Sequence, residues 1–140
     1  MLTQRVEDQS RDQAIRMPDG AARRAFILDR LWHATITPPL PAIADVRAAA
    51  RTDAKLREML IPLEHRARER HRQVIGEALG GNVAKGDAFG HRVDALLATM
   101  RGLNSLLAYG WERDEIEAAW RIARDDFIAA VTHAKRFKNA

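Results

Sequence analysis

The chain contains no cysteine, which excludes disulfides, thiol nucleophiles and thiolate metal sites and suits a reducing compartment. It has no apolar run approaching the ~20 residues that a membrane-spanning helix requires. Its first residues, Met1-Leu2-Thr3-Gln4-Arg5-Val6-Glu7-Asp8, carry acids where a secretory leader would be apolar. A cytoplasmic location away from membranes is the expectation. Also missing are a glycine-rich phosphate loop, a nucleophile elbow and any nucleophile set beside a base, so the chain reads as a non-enzyme that needs no cofactor. Prolines number five and glycines eight. No convincing strand pattern is present, and Ala, Leu, Arg and Glu supply most of the rest, which points to helix nearly throughout.

What is present is the mixture of a globular chain: 46% hydrophobic and 30% charged residues over 140 positions, enough for one domain with its own core. The net charge of +4 arises from 23 basic against 19 acidic residues, a small surplus rather than a nucleic-acid footprint. The densest basic run, Glu64-His65-Arg66-Ala67-Arg68-Glu69-Arg70-His71-Arg72, is cut twice by glutamate and reads as a solvated helix face with local ion pairs.

Apolar spacing divides the chain into helices. Residues 2 to 16 carry sparse anchors, Leu2, Val6, Ala14 and Ile15, and Met17-Pro18-Asp19-Gly20 ends that weakly held helix with a turn. A helix over about 21 to 34 turns Phe26, Ile27, Leu31 and Trp32 inward. Pro39 and Pro41 suit the first turn of a third helix, with Leu40, Ile43, Val46 and Ala50 on one face. Thr52 or Asp53 caps a long helix to Leu79, bent or split at Pro62 and stopped by Gly80-Gly81-Asn82. Asp87 caps a fifth helix, in which Phe89, Val93, Leu96, Leu97, Met100, Leu103 and Leu107 keep helical spacing. After Gly110, a last helix over about 112 to 136 carries Ile116, Ala119, Trp120, Ala123, Phe127 and Val131 as one stripe. Ile122 and Ile128 lie off it, giving two apolar faces.

The stretches Ala49-Ala50-Arg51-Thr52-Asp53-Ala54-Lys55-Leu56-Arg57, Leu60-Ile61-Pro62-Leu63-Glu64-His65-Arg66-Ala67-Arg68-Glu69-Arg70 and Leu96-Leu97-Ala98-Thr99-Met100-Arg101-Gly102-Leu103 occur in that order. Together they resemble the C-terminal ligand-binding and dimerisation domain of TetR-type transcriptional regulators, over approximately residues 21 to 133. The resemblance implies an all-α bundle of about six helices: residues 1–20 as a weakly anchored helix and turn, and 21–137 as the helical domain. It implies a homodimer whose last two helices form a four-helix interface, for which Leu103, Leu107, Trp120, Ala123, Phe127 and Val131 are the candidates. It also implies an apolar effector pocket. Candidates for its lining, by size and adaptability, are Phe26, Trp32, His33, Met59, Leu63, Phe89 and Met100.

Such regulators carry a helix-turn-helix DNA reader of about 45 to 50 residues upstream, and none is visible before Ala50. Specific DNA binding by this chain alone is therefore not expected. No two of the histidines, His33, His65, His71, His91 and His133, have the i, i+4 spacing of a helical metal pair, and His65 and His71 fall on different faces. The acids from Glu112 to Glu117 complement a helix dipole and need no chemistry. The alternative function is a helical protein-protein interaction module with no small-molecule ligand. A closed cavity favours the sensor and an exposed groove the module.

Overall fold

The computed structural model describes residues 5, 8–9, 12–13, 15–18, 20–37, 40–79 and 86–133. Five α-helices follow in order: α1 Ala21–Ile36, α2 Leu40–Ala49, α3 Ala54–Leu79, α4 Asp87–Leu106 and α5 Arg113–His133, with a 3-10 turn Leu107–Tyr109 between the last two. No strand occurs among the described residues, so the chain is an all-α bundle. The expected first helix lies largely outside the described residues, as do Leu2, Val6, Ala14, the Gly80-Gly81-Asn82 stop and the end of the last helix beyond His133. No helix of the described residues is long and apolar enough to cross a membrane.

Local chemistry accounts for the boundaries. Of the two candidate caps for α3 it is Asp53 that acts, its Oδ1 accepting the backbone N–H of Leu56 at 3.0 Å. Pro62 removes the amide that would bond the Glu58 carbonyl, but α3 continues through it unsplit. Asp87 does not cap α4. The cap is Gly86 at φ 90° with no side-chain bond, and Asp87 is the first helical residue, where its charge faces the positive helix end. Gly110 closes the α4 segment at φ 83°. The Trp111 N–H reaches the Leu106 carbonyl at 3.3 Å and the Gly110 N–H that of Leu107 at 3.4 Å, the paired bonds of a Schellman stop.

One core joins four of the five helices. It comprises Ile27, Leu28, Leu31 and Trp32 of α1, Ile75, Ala78 and Leu79 of α3, Phe89, Val93, Leu96 and Met100 of α4, and Ile116, Trp120, Phe127 and Val131 of α5. Among the residues whose burial is described, helix α2 contributes none to it: of its expected stripe, Ile43 and Val46 are 37% and 41% exposed, while Ala50, just past the helix, is buried. The buried residues of α3 begin at Val74. Its first half leaves Met59, Ile61 and Leu63 exposed. The core thus closes at one end of the bundle, and α2 with the start of α3 stands away from it.

Two neighbouring arginines of α1 are both 7% exposed but differently served. Arg23 donates from Nε to the Ala78 carbonyl at 2.7 Å and from Nη2 to that of Glu77 at 3.3 Å, so it satisfies the last carbonyls of α3. Arg24 reaches only the Thr132 hydroxyl, at 3.5 Å, and its buried Nε has no partner among the described residues. A buried guanidinium without a carboxylate keeps its desolvation cost and gains little. Arg23→Met is therefore expected to cost about 1.5 kcal/mol, while Arg24→Met is neutral or stabilising. Urea midpoints of the two variants check this, and equal losses for both would refute it.

Candidate functional site

A cleft of about 550 Å³ lies where α2, the first half of α3 and α4 face one another, open to solvent on one side. Its existence follows from the off-centre core: α3 leaves its first half unburied, and α2 bridges back toward it by polar contacts. Arg57 of α3 donates to the carbonyls of Ala50 and Arg51 at 3.2 Å each, holding the chain at the end of α2. Arg47 of α2 meets Glu64 of α3, Nε to Oε1, at 2.6 Å. Apolar surface comes from Ala50, Leu60, Ile61 and Leu97.

The charged wall is arranged as shared carboxylates. Glu64 takes Arg47 on one oxygen and Arg101 on the other, the latter at 3.8 Å. Asp94 takes Arg68 at 2.7 Å and Arg72 at 2.6 Å. The hydrogen bond from Arg72, then that from Arg68, holds the Asp94 carboxyl well below the usual carboxylate range. Arg101 is pushed below the usual arginine range, first by burial and next by the like charge of Arg47, with Glu64 offsetting only part of this. Five arginines, Arg47, Arg51, Arg57, Arg68 and Arg101, line the cleft against two carboxylates, Glu64 and Asp94.

Sequence periodicity did not find this wall. The run from Glu64 to Arg72 looks solvated because it is polar, yet Glu64, His65, Arg68 and His71 all line the cleft. The two histidines assigned to different helix faces thus share one cavity, which is wide enough to span both. The legible signal was a polar face at helical spacing, Glu64, Arg68 and His71, directly after the apolar Leu56-Met59-Leu60 positions.

None of the seven expected pocket residues lines the cleft. Trp32, Phe89 and Met100 belong to the close-packed core, and Phe26 packs partly buried against it. His33 is exposed, and Met59 and Leu63 are 63% and 52% exposed. The expected dimer residues divide by burial. Trp120, Phe127 and Val131 are buried within one chain, and Leu103 and Leu107 are half-buried against the same core. Trp120, Phe127 and Val131, already removed from water inside the chain, have little area left to bury against a second copy, whereas Leu103 and Leu107 keep some. Ala123 is half-buried, and on α5 it is Ile122, 65% exposed, that faces outward.

Compared with known proteins, the chain matches no protein-family model, no curated protein and no solved structure.

Proposed function

We propose that the chain is the effector-sensing and dimerisation module of a TetR-like transcriptional regulator, with its small-molecule site in the α2–α3–α4 cleft. The observation that carries this reading is the cleft itself. Its volume of about 550 Å³ lies within the ~300–1,000 Å³ of small-molecule sites, and it is separate from the close-packed core. The apolar or aromatic body of an effector rests on Ala50, Leu60, Ile61 and Leu97. The order of five helices ending in the long α4 and α5 agrees with such a module.

Dimerisation through α4 and α5 has its support in their outer faces. Ala95, Ala98, Thr99, Gly102 and Ser105 of α4 and Ala118, Ile122 and Ala129 of α5 are exposed, and small residues let helices approach closely. A Cβ at Gly102 would meet nothing within 4 Å, so no contact inside the chain requires glycine there. Gly102→Arg is expected to convert a dimer to a monomer in sedimentation with no loss of thermal stability. A wild-type chain that is monomeric and stable at micromolar concentration would sink the dimer. With no recognition helix assigned to it, the chain is not expected to retain specific duplex DNA at physiological salt.

A second reading, the helical interaction module, is favoured by the open side of the cleft and by the exposed Met59, Ile61 and Leu63 beside it. A panel of small apolar and aromatic compounds, followed by thermal shift, separates the two. A ligand that binds only the folded state raises the midpoint with concentration. If no compound does so, the interaction module becomes the better account.

A further inference from the structure

The cleft has more positive charge than its own carboxylates offset, and the excess is positioned rather than diffuse. Glu64 is divided between Arg47 and Arg101, and Arg101 is the poorly served partner at 3.8 Å. Arg57 bonds only backbone carbonyls, and Arg51 has no carboxylate partner among the described residues. Asp94, which lines the same cleft, is already engaged by Arg68 and Arg72. Arg101, at 46% side-chain exposure, is half withdrawn from water beside the like charge of Arg47. A group that brings negative charge there removes repulsion and supplies acceptors to donors that are already positioned. The apolar residues Ala50, Leu60, Ile61 and Leu97 share the same space, so a bare inorganic ion would leave them wet.

We propose, resting on the sensor reading, that the cleft takes a small organic anion, with an apolar body against Leu60, Ile61 and Leu97 and a carboxylate or phosphate headgroup at Arg101 and Arg47. Glu64 is then the intramolecular stand-in that the headgroup displaces. The neighbouring arginines are selective against cationic ligands, because an amine placed there adds to an existing surplus.

The test is a titration of the full chain by calorimetry and thermal shift with four probes that share one eight-carbon alkyl body: nonanoate, octyl phosphate, octanol and octylamine. Inorganic phosphate serves as a fifth probe. The expected result is binding of one or both anions at least about tenfold tighter than octanol, with octylamine weakest; the comparison of nonanoate with octyl phosphate tells which headgroup is preferred. Arg101→Gln is expected to weaken the anions about tenfold and leave octanol unchanged. Glu64→Gln, which removes the competing carboxylate, is expected to tighten them several-fold, a gain that a merely structural role would not produce. Arg92→Gln, an exposed change on α4 outside the cleft, controls for net charge and should alter nothing. Octanol or octylamine binding as tightly as the anions overturns the charge assignment and leaves the sensor reading standing. Inorganic phosphate binding as tightly as octyl phosphate overturns the apolar half. If no probe binds, both this inference and the site it rests on are lost.

Discussion

Replacing Trp120 with alanine is expected to cost about 3–5 kcal/mol of folding free energy, a large part of the ~5–15 kcal/mol that a domain has in total. Trp120 of α5 and Trp32 of α1 are each 1% exposed. Their rings stack with centroids 5.3 Å apart and planes at 11°. Each indole also donates across to the other helix: Trp32 Nε1 to Glu117 Oε1 at 3.0 Å, and Trp120 Nε1 to Asp29 Oδ1 at 2.9 Å. Both acceptors sit three residues before the opposite tryptophan, so the two helices are pinned by the same device in each direction. Asp29 is further held by Arg124, whose Nη1 donates to both carboxylate oxygens at 3.0 and 2.8 Å.

Truncation removes the stack, a buried hydrogen bond and the volume of an indole together. Trp120→Phe keeps most of the packing and loses only the donor, for about 1 kcal/mol. Urea unfolding of the two variants at several protein concentrations is the check. A loss below about 1 kcal/mol for the alanine variant, or one that appears only as weaker self-association, would falsify the intramolecular role of the pair.

The second large effect is expected at Asp94, as a pH dependence. Its carboxyl is held low in the folded chain, by Arg72 first and Arg68 next, while in the unfolded chain it titrates near ~3.9. A depressed folded value means the stabilisation is fully present above the unfolded value. It is lost as the pH falls from there toward and through the folded one. Stability is therefore expected to drop on acidification below about pH 4, and Asp94→Asn should flatten that part of the curve.

At neutral pH the same substitution leaves two guanidiniums without their carboxylate. Solvent screens this pair, so a loss of stability is expected that shrinks as salt is added. Gly90 belongs to this arrangement, since a Cβ there would lie 2.9 Å from the Arg72 guanidinium carbon. Gly90→Ala should push Arg72 off Asp94 and cost more in the wild-type background than in Asp94→Asn. Additive losses in that double-mutant cycle, or an acid limb unchanged in Asp94→Asn, would remove the linkage.

Much of the helical layout was legible because its causes are local. Asp53 bonds an amide three residues on, Gly110 adopts a left-handed turn that other residues resist, and the stripe from Phe89 to Leu103 repeats within successive turns. The candidate site was not legible, and its two misreadings have one origin. Met59 and Leu63 looked like pocket walls because they are apolar, and the Glu64 to Arg72 run looked like solvent face because it is polar. Hydropathy reports how a side chain partitions, not which helix stands opposite. Along α3 the second half meets the core and the first half meets α2 across a cleft, so identical patterns have different surroundings.

By itself the sequence determined an all-α chain, the positions of its five described helices and the absence of thiol chemistry, since propensity, capping and periodicity act within a few residues of chain. Tertiary structure alone decided that Trp120 faces Trp32 rather than a second subunit, that Glu64 and Asp94 are each shared between two arginines, and that those arginines enclose a cavity. Each of these joins side chains on different helices, 88 positions apart for the two indoles. Such pairings depend on how whole helices cross as they exclude water from a common core, which no local stretch of residues specifies.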